Sequence, residues 1–154
     1  LRRFKIEAGS RVMTTNDFVF IIAIGLNDVV CTKTTMKLRT TLNQFKKNIA
    51  VIAKMALKLS KKTVFVTMTP VDEDRIGYDH PNVGKFVVNK DVDAYNKVIR
   101  KIAKKNGAYL LDINAELKEL NYKKLLSNGS HPTLNGYRKM SGIARKFLEK
   151  KKLI

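Results

Sequence analysis

Three short apolar runs punctuate this chain, separated by longer stretches whose apolar residues recur every three or four positions. The first run, Asp17–Ile24, is almost wholly apolar and rich in β-branched and aromatic residues. It is too short for an ordinary helix and lacks the alternation of a half-wet strand, so it predicts a strand buried on both faces. Thr63–Thr67 and Ala108–Ile113 are runs of the same kind. From Lys37 to Ser60, Leu38, Leu42, Phe45, Ile49, Ile52, Ala53, Ala56 and Leu59 fall at helical spacing and predict an amphipathic helix. Asp91–Asn106 repeats that period through Val92, Tyr95, Val98, Ile99 and Ile102, with acids in its first turn and Gly107 at its exit. Thr133–Lys151 does so again, from Tyr137 through Phe147 and Leu148. Shorter helical pieces are predicted at Ala115–Leu120 and Tyr122–Leu126, and Leu1–Arg11 reads as the tail of a helix ending at Gly9. Val71–Asn89 has no period and reads as a long excursion.

Strand and helix thus alternate three times without an internal repeat or a linker. That alternation requires parallel strands joined by helical crossovers, and the expected fold is α/β: a three-layer α/β/α sandwich over a parallel sheet. With 154 residues the chain suits one domain over 1–154.

Composition narrows the partners. No apolar run approaches the roughly 20 residues of a membrane span. The single Cys31 excludes an internal disulfide framework, and no His/Cys/Asp grouping has metal-ligand spacing, so neither metal nor cofactor is expected. Lysine and arginine total 31 against 13 acids, a net charge of +18. The lysines are spread along polar helix faces rather than gathered into an arm, which points to non-specific adhesion to polyanions more than to a dedicated nucleic-acid site. No signal segment is visible, which favours a cytoplasmic setting, although the chain begins at Leu1 rather than Met.

The first strand stops in Gly25-Leu26-Asn27-Asp28, a turn-competent tetrad. Ligands of open parallel sheets collect at the carboxyl ends of strands, so Asn27 offers an amide donor where chemistry is expected. Of the two histidines, His80 reads as solvent-facing in the long excursion. His131 sits on a turn just before the last helix, beside Pro132, and is the candidate general base.

Phe20–Asp28 (FIIAIGLND), Thr67–Asp72 (TMTPVD) and Asn128–Tyr137 (NGSHPTLNGY) resemble three successive blocks of the SGNH/GDSL hydrolases, which cleave esters on a flavodoxin-like α/β fold. The resemblance implies that Asn27 donates to the oxyanion and that His131 is base for a nucleophilic serine. Gly25, Asp28 and Pro70 would then border a small-molecule ester substrate. Two departures stand out. The family's Gly-Asp-Ser block and the glycine block after it do not occur, so the chain is expected to be the carboxyl-terminal portion of such a domain, incomplete at its amino end. The residue three before the histidine, usually aspartate, is Asn128, an amide that stabilises an imidazolium poorly and can favour the wrong tautomer.

Other nucleophiles fit badly. Ser10 precedes the first strand and belongs at its far end, Ser130 is next to His131 itself, and Cys31 reads as a small buried hydrophobe. An exposed sheet edge left beside the first strand predicts aggregation or an oligomer. Two readings follow: part of an ester hydrolase, or a non-catalytic basic module that binds anionic partners such as nucleic acid.

Overall fold

A computed structural model describes Phe4, Ala8 and residues 18–32, 37–76 and 85–154. The elements are β1 (Phe20–Ala23), β2 (Cys31–Thr32), α1 (Leu42–Leu59), β3 (Thr63–Val66), β4 (Lys85–Phe86), α2 (Asn89–Asn106), β5 (Tyr109–Leu111), α3 (Ile113–Lys118), a 3₁₀ turn (Tyr122–Leu125) and α4 (Leu134–Lys150). The strands β1, β3 and β5 form a parallel sheet in that spatial order, in register Ile22 to Phe65 and Phe65 to Leu110.

Alternation along β3 divides the core. Phe65 faces one way and joins Ile22, Phe45, Ile49, Ile52, Ile99 and Ile102 beneath α1 and α2. Val64 faces the other way and joins Leu111 and Leu153 beneath α4, whose Ile143, Ala144, Phe147 and Leu148 cover them. Helices therefore lie on both faces of the parallel sheet, the three layers that the alternating pattern predicts.

The first strand departs from expectation. It is not buried on both faces: Ile21 is 52% exposed, because α4 lies over β3 and β5 and leaves the adjoining face of β1 bare. Among the described residues β1 pairs only with β3, so the central strand is β3.

Two other boundaries move for local reasons. The helix expected from Lys37 begins at Leu42, because the Thr41 hydroxyl accepts the Gln44 N–H as an N-cap while Leu38 forms a bridge to Cys31. Within the long excursion, Lys85–Phe86 pairs antiparallel with Cys31–Thr32. Gly107 ends α2 in the left-handed conformation, φ 69°, as its position predicts. The expectations for Gly9, Ser10 and His80, and most of those for Leu1–Arg11, lie outside the described residues.

Candidate functional site

At the end of β1 the chain turns sharply. The Asp28 N–H donates to Gly25 O at 2.8 Å, and Gly25 takes φ 127°, open to glycine alone at little strain. Gly25 is also packed tightly, since a Cβ there would lie 2.8 Å from Met68 Sδ. The turn leaves Asn27 exposed and Asp28 half-buried. Both line a cleft of about 430 Å³ over the carboxyl ends of the sheet. Thr67, Met68 and Thr69 supply its β3 side, while Ile113 (just past β5) and Met140 of α4 supply the rest. Pro70 is buried and does not line the cleft; Thr69 holds the place the sequence suggests for it.

Buried polar side chains fix the floor. Met68 donates its N–H to Asn96 Oδ1 at 2.8 Å, and its carbonyl accepts from Asn96 Nδ2 at 3.0 Å and Asn114 Nδ2 at 3.1 Å. Asn114 in turn donates its N–H to the Thr67 hydroxyl, which donates to Asp112. Arg100 holds Asp112 in a two-pronged ion pair, 2.7 and 2.9 Å. Burial raises the Asp112 pKa, but hydrogen bonds from Arg100 and Thr67 outweigh it and the net shift is downward.

His131 is carried on the turn Ser127–Pro132, which is tied to the segment after β3. The Asp72 N–H donates to Gly129 O at 2.8 Å. Gly129, at φ 86°, lies so close to that segment that a Cβ would stand 2.7 Å from Ile76 N. Arg75 reaches across to the same turn, and Asp72 holds Arg75. The hydrogen bond from Arg75 pulls the Asp72 pKa below the ordinary aspartate value; burial opposes this and Lys123 adds to it. Asn27 and the segment that docks His131 thus follow the carboxyl ends of neighbouring parallel strands, β1 and β3.

Within the turn, Asn128 Oδ1 accepts the backbone N–H of His131 at 3.0 Å and of Ser130 at 3.3 Å. Two backbone donors fix that atom as the oxygen of the amide. The same oxygen lies 3.0 Å from His131 Nδ1. With this oxygen as its acceptor, Nδ1 carries the proton and Nε2 keeps a free lone pair, a tautomer assigned from the hydrogen-bond partners. The amide therefore selects the tautomer a base needs, contrary to what the bare exchange of aspartate for asparagine suggests.

Ser130 Oγ is also 3.1 Å from His131 Nδ1, so the two neighbours do touch. In the tautomer assigned above this nitrogen carries the proton, so the contact gives Ser130 no base. Cys31 is buried in β2 with its thiol directed to Thr32 O. Among the described residues no group of three or more His, Cys, Asp or Glu could hold a metal ion, and no helix is long and apolar enough to cross a membrane.

Residues 3–139 match the profile of the family described as GDSL-like lipase/acylhydrolase. Among solved structures, the lipase/acylhydrolase from Enterococcus faecalis superposes with a TM-score of 0.72 at 14% identity, covering 97% of this chain and 68% of that one. The acetyl xylan esterase AlAXEase gives 0.70 at 21% identity, covering 93% and 73%. A catalytic mutant of an acetylxylan esterase from Geobacillus stearothermophilus gives 0.67 at 19% identity, covering 96% and 66%. The chain spans about two thirds of the length of such structures. Among curated protein sequences no relative matches.

Proposed function

Because the chain belongs to the GDSL-like lipase/acylhydrolase family, we propose that it serves ester hydrolysis, with His131 as general base and Asn27 as oxyanion donor. The observation that carries this reading is the contact between Asn128 Oδ1 and His131 Nδ1, which frees Nε2 to take a proton. A serine hydroxyl attacks the ester carbonyl as its proton passes to Nε2. The developing oxyanion accepts a hydrogen bond from the Asn27 amide at the mouth of the cleft. The protonated imidazole then gives its proton to the departing alcohol, and water repeats the sequence on the acyl-enzyme. The serine belongs, on this reading, to a Gly-Asp-Ser segment that these 154 residues do not contain.

Gly25 shapes the turn that presents Asn27, and Asp28 borders the cleft beside it. The cleft is about 430 Å³ and open, with Ile24, Val66, Ile113 and Met140 among its walls, which suits a short acyl group. Acetyl esters are the substrate class we favour.

The test is turnover of p-nitrophenyl acetate by the full gene product. His131→Ala is expected to lower kcat by about 10³-fold or more, and Asn27→Ala by about 10²- to 10³-fold. Unchanged turnover in His131→Ala overturns the reading. A weaker property accompanies it: with a net charge of +18 the chain adheres to polyanions and is released by salt. Lys46, Lys97 and Lys101, around a groove between α1 and α2, belong to that basic surface.

A further inference from the structure

Between Leu126 and Pro132, which bridge to one another, the turn that carries His131 runs Ser127-Asn128-Gly129-Ser130-His131 and has no large apolar side chain of its own. Ordering such a segment costs about 1–2 kcal/mol of backbone entropy per residue, and something must offset it. Hydrogen bonds from Ser127 to the His131 carbonyl close the turn on itself, and a side chain from the segment after β3 ties it to the rest of the fold. Arg75 presents five N–H donors in a rigid plane. Its Nε donates to Asp72 Oδ2 at 2.7 Å. One terminal nitrogen donates to the carbonyls of Lys123 and, at 3.0 Å, Leu126; the other donates to the Ser127 carbonyl at 3.3 Å. Three carbonyls leading into Asn128 are therefore gathered by one guanidinium.

The guanidinium is itself held. The Asp72 side chain is only 6% exposed, whereas that of Arg75 is 42% exposed, so the carboxylate is the fixed member of the pair. The Asp74 N–H donates to the other oxygen of Asp72 at 3.3 Å, and Lys123 Nζ stands 3.4 Å from it. Asp72 also contributes its backbone N–H to Gly129 O. One two-residue device thus pins the turn ahead of Asn128 and just behind it.

We propose that Arg75, fixed by Asp72, is the positioning residue for His131: it sets the turn so that Asn128 Oδ1 meets Nδ1 and Nε2 stays unprotonated. The assignment rests on His131 being the base, but it makes a claim about the imidazole that can be read without any turnover. An arginine suits the task because three carbonyls in an arc need a fork of donors, which a lysine ammonium does not offer.

The test is long-range ¹H–¹⁵N correlation on the ¹⁵N-labelled 154-residue chain, at a fixed pH where the imidazoles are neutral. His131→Ala separates its signals from those of His80. The expected result is a predominantly Nδ1–H ring for His131. Arg75→Ala, with its circular dichroism unchanged, is expected to lower the Nδ1–H population about twofold or more, toward the mixture of a free imidazole. Arg75→Lys keeps the charge, guards against loss of the fold, and is expected to restore only part of it. Asp74→Asn removes the surface partner of Lys123 and is expected to leave the ring as it is. A folded Arg75→Ala or Arg75→Lys with a wild-type His131 tautomer overturns the proposal, as does an equal effect from Asp74→Asn. Ester turnover that survives His131→Ala in the full gene product would instead sink the assignment of the base and leave the tautomer result standing.

Discussion

Asn128 Oδ1 lies 3.0 Å from Nδ1 of His131 and accepts the backbone N–H of the same histidine at 3.0 Å. One amide oxygen thus orients both the ring and the backbone that carries it. A carboxylate in that place would do the same and would also stabilise the imidazolium that forms when Nε2 takes a proton.

Asn128→Asp is therefore expected to raise kcat on acetyl esters by about tenfold or more; in serine proteases the reverse exchange lowers it about 10⁴-fold. Steady-state kinetics on p-nitrophenyl acetate check it. Slower turnover in the variant would mean that the neutral amide is itself required.

Gly129→Ala tests the docking of the turn. A Cβ at φ 86° is strained, and it would stand 2.7 Å from Ile76 N and 2.8 Å from Asp72 O, both backbone atoms that cannot swing aside. The expected loss is more than about 1 kcal/mol in denaturant unfolding. Gly142, where nothing lies within 4 Å of an added Cβ, is the matched control inside α4, and Gly142→Ala is expected to leave stability level or higher.

The cleft floor makes a separate prediction. Asn96→Ala strips the Met68 N–H of its side-chain acceptor in a fully buried position and is expected to cost about 1–3 kcal/mol. Asn114 Nδ2 still reaches the Met68 carbonyl, so the lost acceptor, and not the lost donor, dominates. Urea unfolding of the single variant measures it, and a change within error would show the amide to be dispensable.

Acid stability follows from two carboxylates. Asp72 is lowered chiefly by the hydrogen bond from Arg75; at Asp112 burial raises the pKa, but Arg100 and Thr67 bring it down overall. A group depressed on folding contributes stability above its unfolded pKa and loses it as pH falls through the folded one. The unfolding free energy is thus expected to hold down to about pH 4 and then decline. Asp112→Asn is expected to flatten that decline. Denaturant titrations on both sides of that pH supply the slope, and an unaltered slope in the variant contradicts the ion-pair account.

The frame of this site was legible in the sequence because burial writes itself as periodicity. The runs at Phe20, Thr63 and Tyr109 and the helical stripes between them predict the strands, the helices and their layers. The elements tying the site together were not legible, because they depend on contacts between distant residues. Arg75 looks like any charged residue in an aperiodic stretch until it meets the carbonyls before Asn128. Asn96 gave a faint signal, a polar residue beside Tyr95 near the apolar face of its helix, and it could have been found that way. Ile21 reads as buried because a run of apolar residues says nothing about which neighbour covers each face.

The most direct measurement is a crystal structure of the full gene product inhibited by a small alkyl phosphonate, whose tetrahedral phosphorus stands in for the attacked ester carbon. The account predicts a serine adduct with a phosphoryl oxygen about 3 Å from Asn27 Nδ2 and His131 Nε2 facing the serine oxygen. An adduct in which either side chain lies away from the phosphorus, or on a residue other than that serine, would contradict it.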